Sequence, residues 1–382
     1  MKDLKICYLA ALVISTSTGL QFQAPKNDIR FWKSDRILLD EPTGSWPNDA
    51  SKCLYVGDWS YWYRKKGMQT STDDILVAFV AMYPEVDEQF FEKLTLSSNE
   101  PTLLSDRKAA ESGITRYVDL GCGVGSTLLL VSHTLRPKEF SIGIEAQDES
   151  FRLLQRTLDE LPCDSPNIKV AHEDIRALVH NSHASTSNEN DDLSLDKLPA
   201  LQQMLAGQCD LITANPPYAP LQSGTLCKDA QRRSARFELR GGVEEYLLTV
   251  KALLSPTGRF VLAFWSRSDD RVRKAVEAAG GLQIHRRFDI LMGEAGRSDP
   301  HLCIYDIRHQ PLSLDSELTT QSEILIIDIT RDPVTGGLNK KYDAIRTLLR
   351  CAPRPLKNKA AQVPNIIQDI DNRPVAHIPS RL

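Results

Sequence analysis

The 382-residue chain contains 41% apolar and 25% charged residues, which is the range of an ordinary globular protein and leaves room for a full α/β domain. Its formal net charge of -4 excludes a protein that binds polyanions through bulk charge, so any nucleic acid would have to meet a local basic surface. None of the eight cysteines belongs to a C-x-x-C pair or to a cluster with zinc-ligand spacing, which indicates free thiols in a reducing compartment rather than disulfides or a metal site.

Residues 1–50 read as a leader. Lys2 and Lys5 precede the apolar run Ile6–Ile14, and small and polar residues follow up to Gly19. This order resembles a targeting peptide, which would direct the chain to a plastid or a mitochondrion. The alternative is a buried strand or an unstructured start in a cytoplasmic protein. The run is too short to span a bilayer, and no other segment approaches a membrane span.

Residues 51–350 are predicted to form one α/β domain. The aromatic cluster Trp59–Tyr63 favours core packing over the alternative, base stacking. A helix is predicted over Asp74–Tyr83, where the apolar residues make a near-continuous buried face. Between residues 116 and 310, short β-rich runs alternate with helical patterns, which is typical of βαβ units around a parallel sheet.

Three further segments complete the chain. Residues 180–198 are polar and rich in Ser and Asn, which predicts a surface insertion in the domain. After the sheet, a strand is predicted over Ile324–Ile329 and a helix over Asn339–Leu349. Residues 351–382 form a Pro-rich, basic tail that we expect to be disordered.

A strand, a glycine turn and a helix follow each other directly at residues 117–135. The predicted strand Tyr117–Leu120 leads into Gly121-Cys122-Gly123-Val124-Gly125, and a helix is predicted over Ser126–Leu135. Glycines allow positive φ and a close approach of the backbone to a ligand, and a helix N-terminus offers free N–H groups. The turn therefore predicts a nucleotide cradle, although a lone glycine turn is weak evidence.

Acidic residues end the next two predicted strands. Glu145 follows the strand Phe140–Ile144 about 20 residues beyond the turn, where a carboxylate can bind ribose hydroxyls. Asp174 follows the strand Ile168–His172, where it can accept from an adenine amino group, cap a helix, or do both. NAD and S-adenosylmethionine would both satisfy this pattern, but the turn lacks the third glycine of G-x-G-x-x-G. That departure favours S-adenosylmethionine.

The sequence Asn215-Pro216-Pro217-Tyr218 follows the predicted strand Cys209–Ala214. Two prolines after a strand fix φ and leave carbonyl groups without neighbouring donors, at the edge where open α/β sheets bind ligands. Asn215 Oδ1 and the Pro216 carbonyl can accept both N–H bonds of a planar nitrogen, and Tyr218 can stack on the flat group. A base would have to be unpaired or flipped to reach them. The alternative is an ordinary turn whose aromatic side chain fills the core.

Taken in order, V-D-L-G-C-G-V-G, G-I-E-A-Q, E-D-I and N-P-P-Y resemble the class I methyltransferases that modify planar nitrogens. The resemblance covers roughly residues 60–310. It implies S-adenosylmethionine as cofactor and a Rossmann-like, seven-stranded sheet, mostly parallel with an antiparallel last strand. Candidate catalytic residues are Asn215, Pro216, Pro217 and Tyr218, and candidate cofactor-binding residues are Thr72, Asp73, Asp119, Gly121, Gly123, Gly125, Glu145, Asp174 and Asn215.

Within that family, three local matches favour the bacterial-type tRNA(Val) adenine-N6-methyltransferases over the release-factor glutamine methyltransferases. M-Q-T-S-T-D-D-I-L is similar to a segment of the former group, and so are G-I-E-A-Q and R-R-S-A-R-F-E. The resemblance implies that Thr72 and Asp73 lie near the cofactor and that Arg236 and Glu238 order the loop over the target. The leader, the insertion and the tail depart from the bacterial enzymes and put the RNA target in doubt.

The predicted function is N6-methylation of adenine in RNA, with tRNA as the expected substrate, by direct transfer without a metal. Basic clusters around Arg232–Arg240, Arg267–Lys274 and Arg286–Arg287 are consistent with an RNA partner, or are solvated faces. We expect a monomer that does not bind membranes. The alternatives are methylation of a protein glutamine and a non-catalytic RNA-binding relative of the fold.

Overall fold

The computed structural model describes residues 46–96, 113–179, 197–311, 322–334, 336–337 and 339–352. The predicted leader up to residue 45, residues 180–196 of the predicted insertion and residues 353–382 of the predicted tail lie outside the described residues. The strands are β1 Ala50–Val56, β2 Trp59–Arg64, β3 Arg116–Leu120, β4 Phe140–Glu145, β5 Ile168–His172, β6 Cys209–Ala214, β7 Leu254–Trp265, β8 Leu282–Leu291, β9 Leu302–His309 and β10 Glu323–Asp328. The helices are α1 Thr72–Met82, α2 Glu88–Leu96, α3 Ser126–Leu135, α4 Asp148–Asp159, α5 Lys197–Leu205, α6 Ala230–Arg236, α7 Val243–Leu253, α8 Asp269–Ala279 and α9 Lys340–Leu348.

An eight-stranded sheet lies at the centre of the described structure, in the order β10-β8-β9-β7-β6-β3-β4-β5. Neighbouring strands are parallel, except that β9 is antiparallel to both β7 and β8. The strands β3 to β9 therefore confirm the predicted Rossmann-like sheet with a reversed last strand. β10 adds an eighth strand at the edge, parallel to β8, in the place where an additional strand is predicted from the sequence.

The chain changes direction across the sheet at β3. From β3 it proceeds to β4 and β5, and it then returns to place β6 on the other side of β3. The loops that follow β3 and β6 therefore leave in opposite directions, and such a switch point opens a crevice at the carboxyl ends of the strands. Because β3 ends at Leu120 and β6 at Ala214, the glycine turn and Asn215 both begin at this crevice.

Two apolar cores cover the two faces of the sheet. One contains side chains of the β1–β2 hairpin, α1, α3, α4 and α9, and the other contains side chains of α7 and α8 and of the 3₁₀ turn Ile175–Leu178. In β3, Tyr117 belongs to the first core, whereas Val118 and Leu120 belong to the second. Both faces are buried, which accounts for the near-continuous apolar runs in the strands.

Helix α1 begins two residues before its predicted start because a capping box closes its first turn. The Ser71 hydroxyl accepts a hydrogen bond from the Asp74 N–H at 3.2 Å, and the Asp74 carboxylate accepts one from the Ser71 N–H at 2.8 Å. Every residue from Ile75 to Met82 is buried, since α1 packs between α3 and the strands β6, β7 and β9. The first turn of α1 thereby reaches the crevice, and Asp73 and Asp74 line it.

The aromatic cluster around residue 60 forms strand β2 of a two-stranded hairpin. Trp59 and Tyr61 are buried in the first core, and Trp62 and Tyr63 are half-buried against it. These side chains therefore pack as core residues, which was the favoured interpretation of the sequence, and do not form an exposed base-stacking surface.

Helix α5 follows the predicted insertion, and helix α9 precedes the predicted tail. Helix α5 begins at Lys197, so the last two residues of the predicted insertion 180–198 are helical. The helix predicted over Asn339–Leu349 is α9, and Asn339 caps it by accepting a hydrogen bond from the Lys341 N–H at 2.7 Å. In the described part of the chain, no helix combines the length and the apolar character that a bilayer crossing requires.

Candidate active site

A cavity of about 290 Å³ opens at the carboxyl edge of the sheet, where β3, β4 and β6 end. Its volume is close to the lower end of the range of about 300–1,000 Å³ that is typical of small-molecule sites. The predicted site residues that line it are Asp73, Asp119, Gly121, Gly123, Glu145, Asp174, Asn215, Pro216, Pro217 and Tyr218. The fold therefore gathers most of the sequence candidates around one space, although they come from five separate segments of the chain.

Thr72 and Gly125 are the two candidates that are not among the described lining residues of this cavity. Thr72 borders a neighbouring depression instead, and its hydroxyl accepts a long hydrogen bond of 3.4 Å from the Tyr342 hydroxyl. Gly125 is the residue that precedes helix α3, and its N–H donates to the Cys122 carbonyl at 2.9 Å. Thr72 and Gly125 therefore lie next to residues that line the cavity, without lining it themselves.

The three glycines of the turn all have positive φ, at 67°, 58° and 87° for Gly121, Gly123 and Gly125. A Cβ atom added at Gly125 would lie 2.5 Å from Leu154 Cδ1, and one added at Gly121 would lie 2.5 Å from the Tyr246 hydroxyl oxygen. A Cβ atom added at Gly123 would meet no atom within 4 Å. Gly123 therefore faces the open cavity, whereas packing requires the other two glycines.

Glu145 joins the end of β4 to the glycine turn. Its buried carboxylate accepts hydrogen bonds from the Gly123 N–H at 2.7 Å and from the Gln147 N–H at 2.6 Å, one on each oxygen. A carboxylate oxygen can accept a second bond, so these contacts orient the group and leave capacity for a hydroxyl donor in the cavity. This geometry is compatible with the predicted ribose contact.

Asp174 has two structural partners besides its place on the cavity wall. Its carboxylate accepts from the Arg176 N–H at 3.0 Å, which caps the 3₁₀ turn, and it forms an ion pair with the Arg176 guanidinium at 2.6 Å. The capping role considered for this residue is therefore present. Because both carboxylate oxygens are already bonded, contact with an adenine amino group would have to use a remaining lone pair.

Asp119 is buried between β3 and β6. It accepts a hydrogen bond from the Thr213 hydroxyl at 2.6 Å, and the Thr213 and Tyr117 hydroxyl oxygens lie 2.8 Å apart. Desolvation raises the pKa of Asp119 to about 8, and the nearby carboxylates of Asp74 and Glu145 add to the increase. Without a ligand, this side chain is therefore largely protonated at neutral pH.

A chain of side-chain hydrogen bonds connects the N-P-P-Y segment to helix α1. The Asn215 Nδ2 group donates to Asp74 Oδ1 at 2.7 Å, and the Tyr218 hydroxyl contacts both Asn215 Oδ1 and Asp73 Oδ2, the latter at 3.1 Å. In the described residues, no hydrogen bond ends on the Pro216 carbonyl. The amide of Asn215 is thus held in a fixed orientation, and a carbonyl beside it retains its full accepting capacity.

Three carboxyl groups of the cavity wall have no cationic partner within the described residues. Asp73, Asp74 and Asp119 form hydrogen bonds with neutral groups, and none of them forms an ion pair with a described Lys or Arg. Desolvation and the adjacent Asp74 carboxylate raise the pKa of Asp73 to about 6, and desolvation also raises the pKa of Asp74. A ligand that brings positive charge into the cavity would stabilise the ionised forms of these carboxyl groups, so the site favours binding of a cation.

The segment after Tyr218 is held by the segment 236–238. The Ala219 N–H donates to the Arg236 carbonyl and the Glu238 N–H donates to the Ala219 carbonyl, both at 3.0 Å. The Glu238 side chain forms an ion pair with Arg271 at 2.6 Å, and Arg271 also binds Glu244. Arg236 and Glu238 therefore order this loop, as the resemblance implies, but they do so through backbone bonds and through Arg271.

Most of the arginines in the last two predicted basic clusters are neutralised within the protein. The guanidinium groups of Arg271, Arg273, Arg286 and Arg287 all form ion pairs with carboxylates. Arg232, Arg236 and Arg267 remain exposed. The sequence clusters therefore overstate the basic surface, and the cations that could contact phosphate are fewer and closer to the cavity mouth.

Asp74, Tyr246 and Trp265 also line the cavity and were not identified from the sequence, whereas Arg240, a further lining residue, was identified only as part of the basic cluster Arg232–Arg240. Asp74 follows Asp73 directly in the T-D-D run, so the spacing of the segment could have suggested it. Trp265 is the last residue of β7, beside β6, and its position at the carboxyl end of a parallel strand was an available signal. Tyr246 belongs to no motif that the sequence reveals.

Groups of three or more His, Cys, Asp or Glu side chains arranged to hold a metal ion do not occur among the described residues.

Two curated proteins that are similar to the chain carry the same name. The chain is 26% identical over 165 residues to the tRNA1(Val) (adenine(37)-N6)-methyltransferase of Bacteroides fragilis, and the match in a second strain of that species has the same identity. The matched segment spans 43% of this chain and 58% of the relatives' own length. This similarity confirms the resemblance inferred from the motifs. No family model matches the chain.

Two solved structures are similar to parts of the chain at low identity. A protein from Agrobacterium tumefaciens described as a predicted O-methyltransferase is 17% identical, with a TM-score of 0.41, and the match covers 66% of this chain and 97% of that one. TYW2 from Pyrococcus horikoshii in complex with MeSAdo is 10% identical, with a TM-score of 0.37, and the match covers 69% of this chain and 72% of that one.

Proposed function

We propose that this chain is an S-adenosylmethionine-dependent methyltransferase that methylates the exocyclic N6 of adenine in RNA, with tRNA as the substrate class. The observation that carries the proposal is the juxtaposition of Asn215 and the Pro216 carbonyl with a carboxylate-lined cavity at the switch point of the sheet. The oxygen acceptors of Asn215 and Pro216 suit a planar nitrogen, and the carboxylates that line the cavity suit a cationic nucleoside.

The cofactor half of the proposal rests on charge and shape. S-adenosylmethionine would bring an ammonium and a sulfonium, which its own carboxylate offsets to one net positive charge. It would supply the methyl carbon to which the nitrogen bonds, while sulfur keeps the electron pair of the broken C–S bond and the nitrogen releases its proton to solvent. Asp73, Asp74 and Asp119 would balance that charge, since no described cation pairs with them. Gly123 would allow close contact, because its Cα faces open space.

The substrate half rests on hydrogen-bond geometry. The lone pair of an exocyclic amino group is delocalised into the ring, so the nitrogen needs acceptors for its N–H bonds before it becomes a competent nucleophile. Asn215 Oδ1 and the Pro216 carbonyl would supply two, and Asp74 orients the Asn215 amide by accepting a hydrogen bond from its nitrogen, which leaves Oδ1 as the acceptor. The Tyr218 hydroxyl, which contacts Asn215 Oδ1, would have to release that contact when the base enters.

Three observations favour RNA over a protein glutamine. The B. fragilis relatives carry the name of a tRNA adenine-N6-methyltransferase. Exposed cations, Arg236 and Arg267, lie around the cavity mouth, where phosphates would pass. The aromatic side chains of Tyr218 and Trp265 form a mouth that suits a flat base better than an aliphatic amide chain.

The test is transfer of labelled methyl from S-adenosylmethionine to unmodified total RNA, DNA and protein, each followed by digestion and identification of the labelled product. The proposal expects label in N6-methyladenosine from RNA, with tRNA as the main acceptor. Label that appears only in protein glutamine would refute the adenine assignment while leaving the cofactor assignment in place. Absence of transfer to every pool, with cofactor bound, would refute the enzymatic proposal.

A further inference from the structure

One aromatic and cationic surface at the cavity mouth is not used by the proposed reaction. Trp265 ends strand β7 and lines the cavity, and its ring centroid lies 5.5 Å from that of Tyr218. On the indole ring of Trp265 lies the guanidinium of Arg267, with Cζ 3.8 Å from the ring centroid. Arg267 is exposed, so this pair presents a flat cation to solvent beside the entrance.

Arg267 differs from its neighbours in the chain in having no carboxylate partner. Arg271 and Arg273, which follow it on helix α8, are both ion-paired with acidic groups, whereas Arg267 forms no ion pair with any described residue. In a chain whose net charge is -4, an arginine that stays unpaired and stacked is available for an anionic ligand.

A second exposed cation belongs to the same region. The Ser266 N–H, one residue before Arg267, donates to the His301 carbonyl at 3.4 Å, so the loop that carries Arg297 lies beside Arg267. Desolvation, which is the larger effect, and the charges of Arg297 and Arg267 lower the pKa of His301, in agreement with that placement. Arg297 is exposed, and its Nε donates to the Asp299 backbone carbonyl at 3.0 Å. Glu294 and Asp299 lie in the same loop, yet neither forms an ion pair with Arg297 within the described residues.

We propose that Trp265, Arg267 and Arg297 form a docking surface for the nucleotide next to the target adenine in an unpaired RNA segment. The inference rests on the proposed function and names how the site would hold its polymer substrate. The planar guanidinium of Arg267 can stack on a base and can donate in its plane to a phosphate, and Arg297 can contact the next phosphate along the strand. A target base seated on Tyr218 would place its neighbour within reach, since the Tyr218 and Trp265 rings touch.

The experiment measures RNA binding separately from methylation. The full chain, saturated with S-adenosylhomocysteine, is titrated against a fluorescein-labelled 12-nucleotide oligouridine with one central adenosine, and the anisotropy is followed at several salt concentrations. Arg267→Ala should weaken binding about five- to tenfold and reduce the slope of log Kd against log salt by about 0.7, the value for one single-strand phosphate contact. Trp265→Leu should weaken binding at least fivefold, because stacking contributes about 1–3 kcal/mol per base.

Two comparisons separate docking from a general structural effect. Arg267→Lys keeps the charge but not the flat fork, so it should retain the salt slope and lose about threefold in affinity. Arg156→Ala removes an exposed arginine of helix α4 that is paired with Glu160, and it should leave RNA binding unchanged. All four variants should bind S-adenosylhomocysteine within twofold of wild type.

The inference fails if Arg267→Ala binds the oligonucleotide with the wild-type Kd and salt slope while wild type methylates RNA adenine. It also fails if the Arg267 and Trp265 variants lose cofactor binding in proportion, since that would indicate a structural role. If wild type labels only protein and does not bind the oligonucleotide, the proposed function has failed and the inference fails with it.

Discussion

The two halves of the cavity are built from different chemistry. The half under β3 and β4 consists of backbone N–H groups, glycines and carboxylates, with Gly123 and Glu145 at its centre. The half beyond β6 and β7 consists of proline carbonyls, aromatic rings and arginines, from Pro216 to Trp265, and Arg267 lies over the Trp265 ring. Negative charge therefore lines one half and positive charge surrounds the entrance to the other.

This difference fits the two ligands of the proposed function, which have opposite charge. A carboxylate-rich wall suits a cationic nucleoside, and exposed arginines would attract the proposed RNA to the cavity mouth. The halves meet at Asn215, whose amide nitrogen donates to Asp74 and whose oxygen faces the side of Tyr218. Separate variants in each half should therefore affect separate steps.

The largest expected effect comes from the junction between the halves. Asn215→Ala removes an acceptor for the target nitrogen, and kcat should fall by about 10²–10³-fold, the usual loss for one transition-state hydrogen-bonding group. The dissociation constant of S-adenosylmethionine should change less than threefold, because the carboxylates and the glycine turn remain. Steady-state kinetics and calorimetric titration measure the two quantities.

Asn167→Ala is the matched control for that substitution. Asn167 lies in the exposed loop before β5 and donates to the Glu139 carbonyl at 2.8 Å, at the opposite edge of the sheet. It should keep wild-type turnover. If Asn215→Ala abolished cofactor binding together with turnover, Asn215 would belong to the cofactor half and the division into halves would be wrong.

A smaller effect is expected from the pH dependence of cofactor binding. The pKa values of Asp73 and Asp119 are raised to about 6 and about 8 in the ligand-free protein, and a bound cation favours their ionised forms. Binding should therefore release protons between about pH 5 and 8. Affinity should rise with pH across that window, by up to about tenfold per pH unit for each proton released, and level off above it.

The raised pKa of Asp119 also determines how this residue makes the free energy of unfolding depend on pH. Because the folded pKa of Asp119 lies above its ordinary value of 3.8, the ligand-free folded protein binds more protons than the unfolded chain. Its free energy of unfolding should fall as pH rises from about 4 through 8. Asp119→Asn should remove most of the pH dependence of both quantities above pH 7, and an unchanged profile in that variant would show that Asp119 is not the titrating group.

The smallest expected effects distinguish two glycines of one turn. Gly123→Ala and Gly125→Ala both place a side chain at positive φ, which costs about 1–2 kcal/mol. Gly125→Ala adds a collision with Leu154 and should lower Tm more than Gly123→Ala does. Gly123→Ala should mainly weaken cofactor binding, because its Cβ would occupy the cavity. Thermal unfolding with and without S-adenosylhomocysteine measures both, and equal behaviour of the two variants would contradict the separation.

Local sequence patterns correctly predicted the strand, the glycine turn and the helix at residues 117–135, because these three elements are adjacent in the chain. Strand β3, the glycine turn and helix α3 occupy consecutive residues, so propensity and φ requirements decide their geometry without help from distant segments. The start of α1 was less well predicted, since its boundary depends on a side-chain bond between Ser71 and Asp74.

Charge was the least predictable feature. The clusters of Arg and Lys after β6 and β7 look alike in sequence, but Arg271 and Arg273 meet carboxylates in the fold and Arg267 meets an indole. Arg273 pairs with Asp269 four residues earlier on the same helix, which the local sequence could have suggested. The partners of Arg271, by contrast, become its neighbours only through the crossover connection that brings α8 beside α7, and no local pattern carries that information.

The sequence by itself determined the α/β class, the glycine turn, the acidic strand ends and the N-P-P-Y segment, because each depends on residues within a few positions of one another. The tertiary structure alone decided that Asp74, which is 141 residues from Asn215, orients its amide and that Trp265 joins the cavity wall. It also decided that Arg267 lies on an indole ring and forms no ion pair with the described carboxylates. Those contacts arise where β6 returns beside β3 and β7 follows it. Their partners are neighbours only after the chain has crossed the sheet, so the order of strands, and not the order of residues, determines the site.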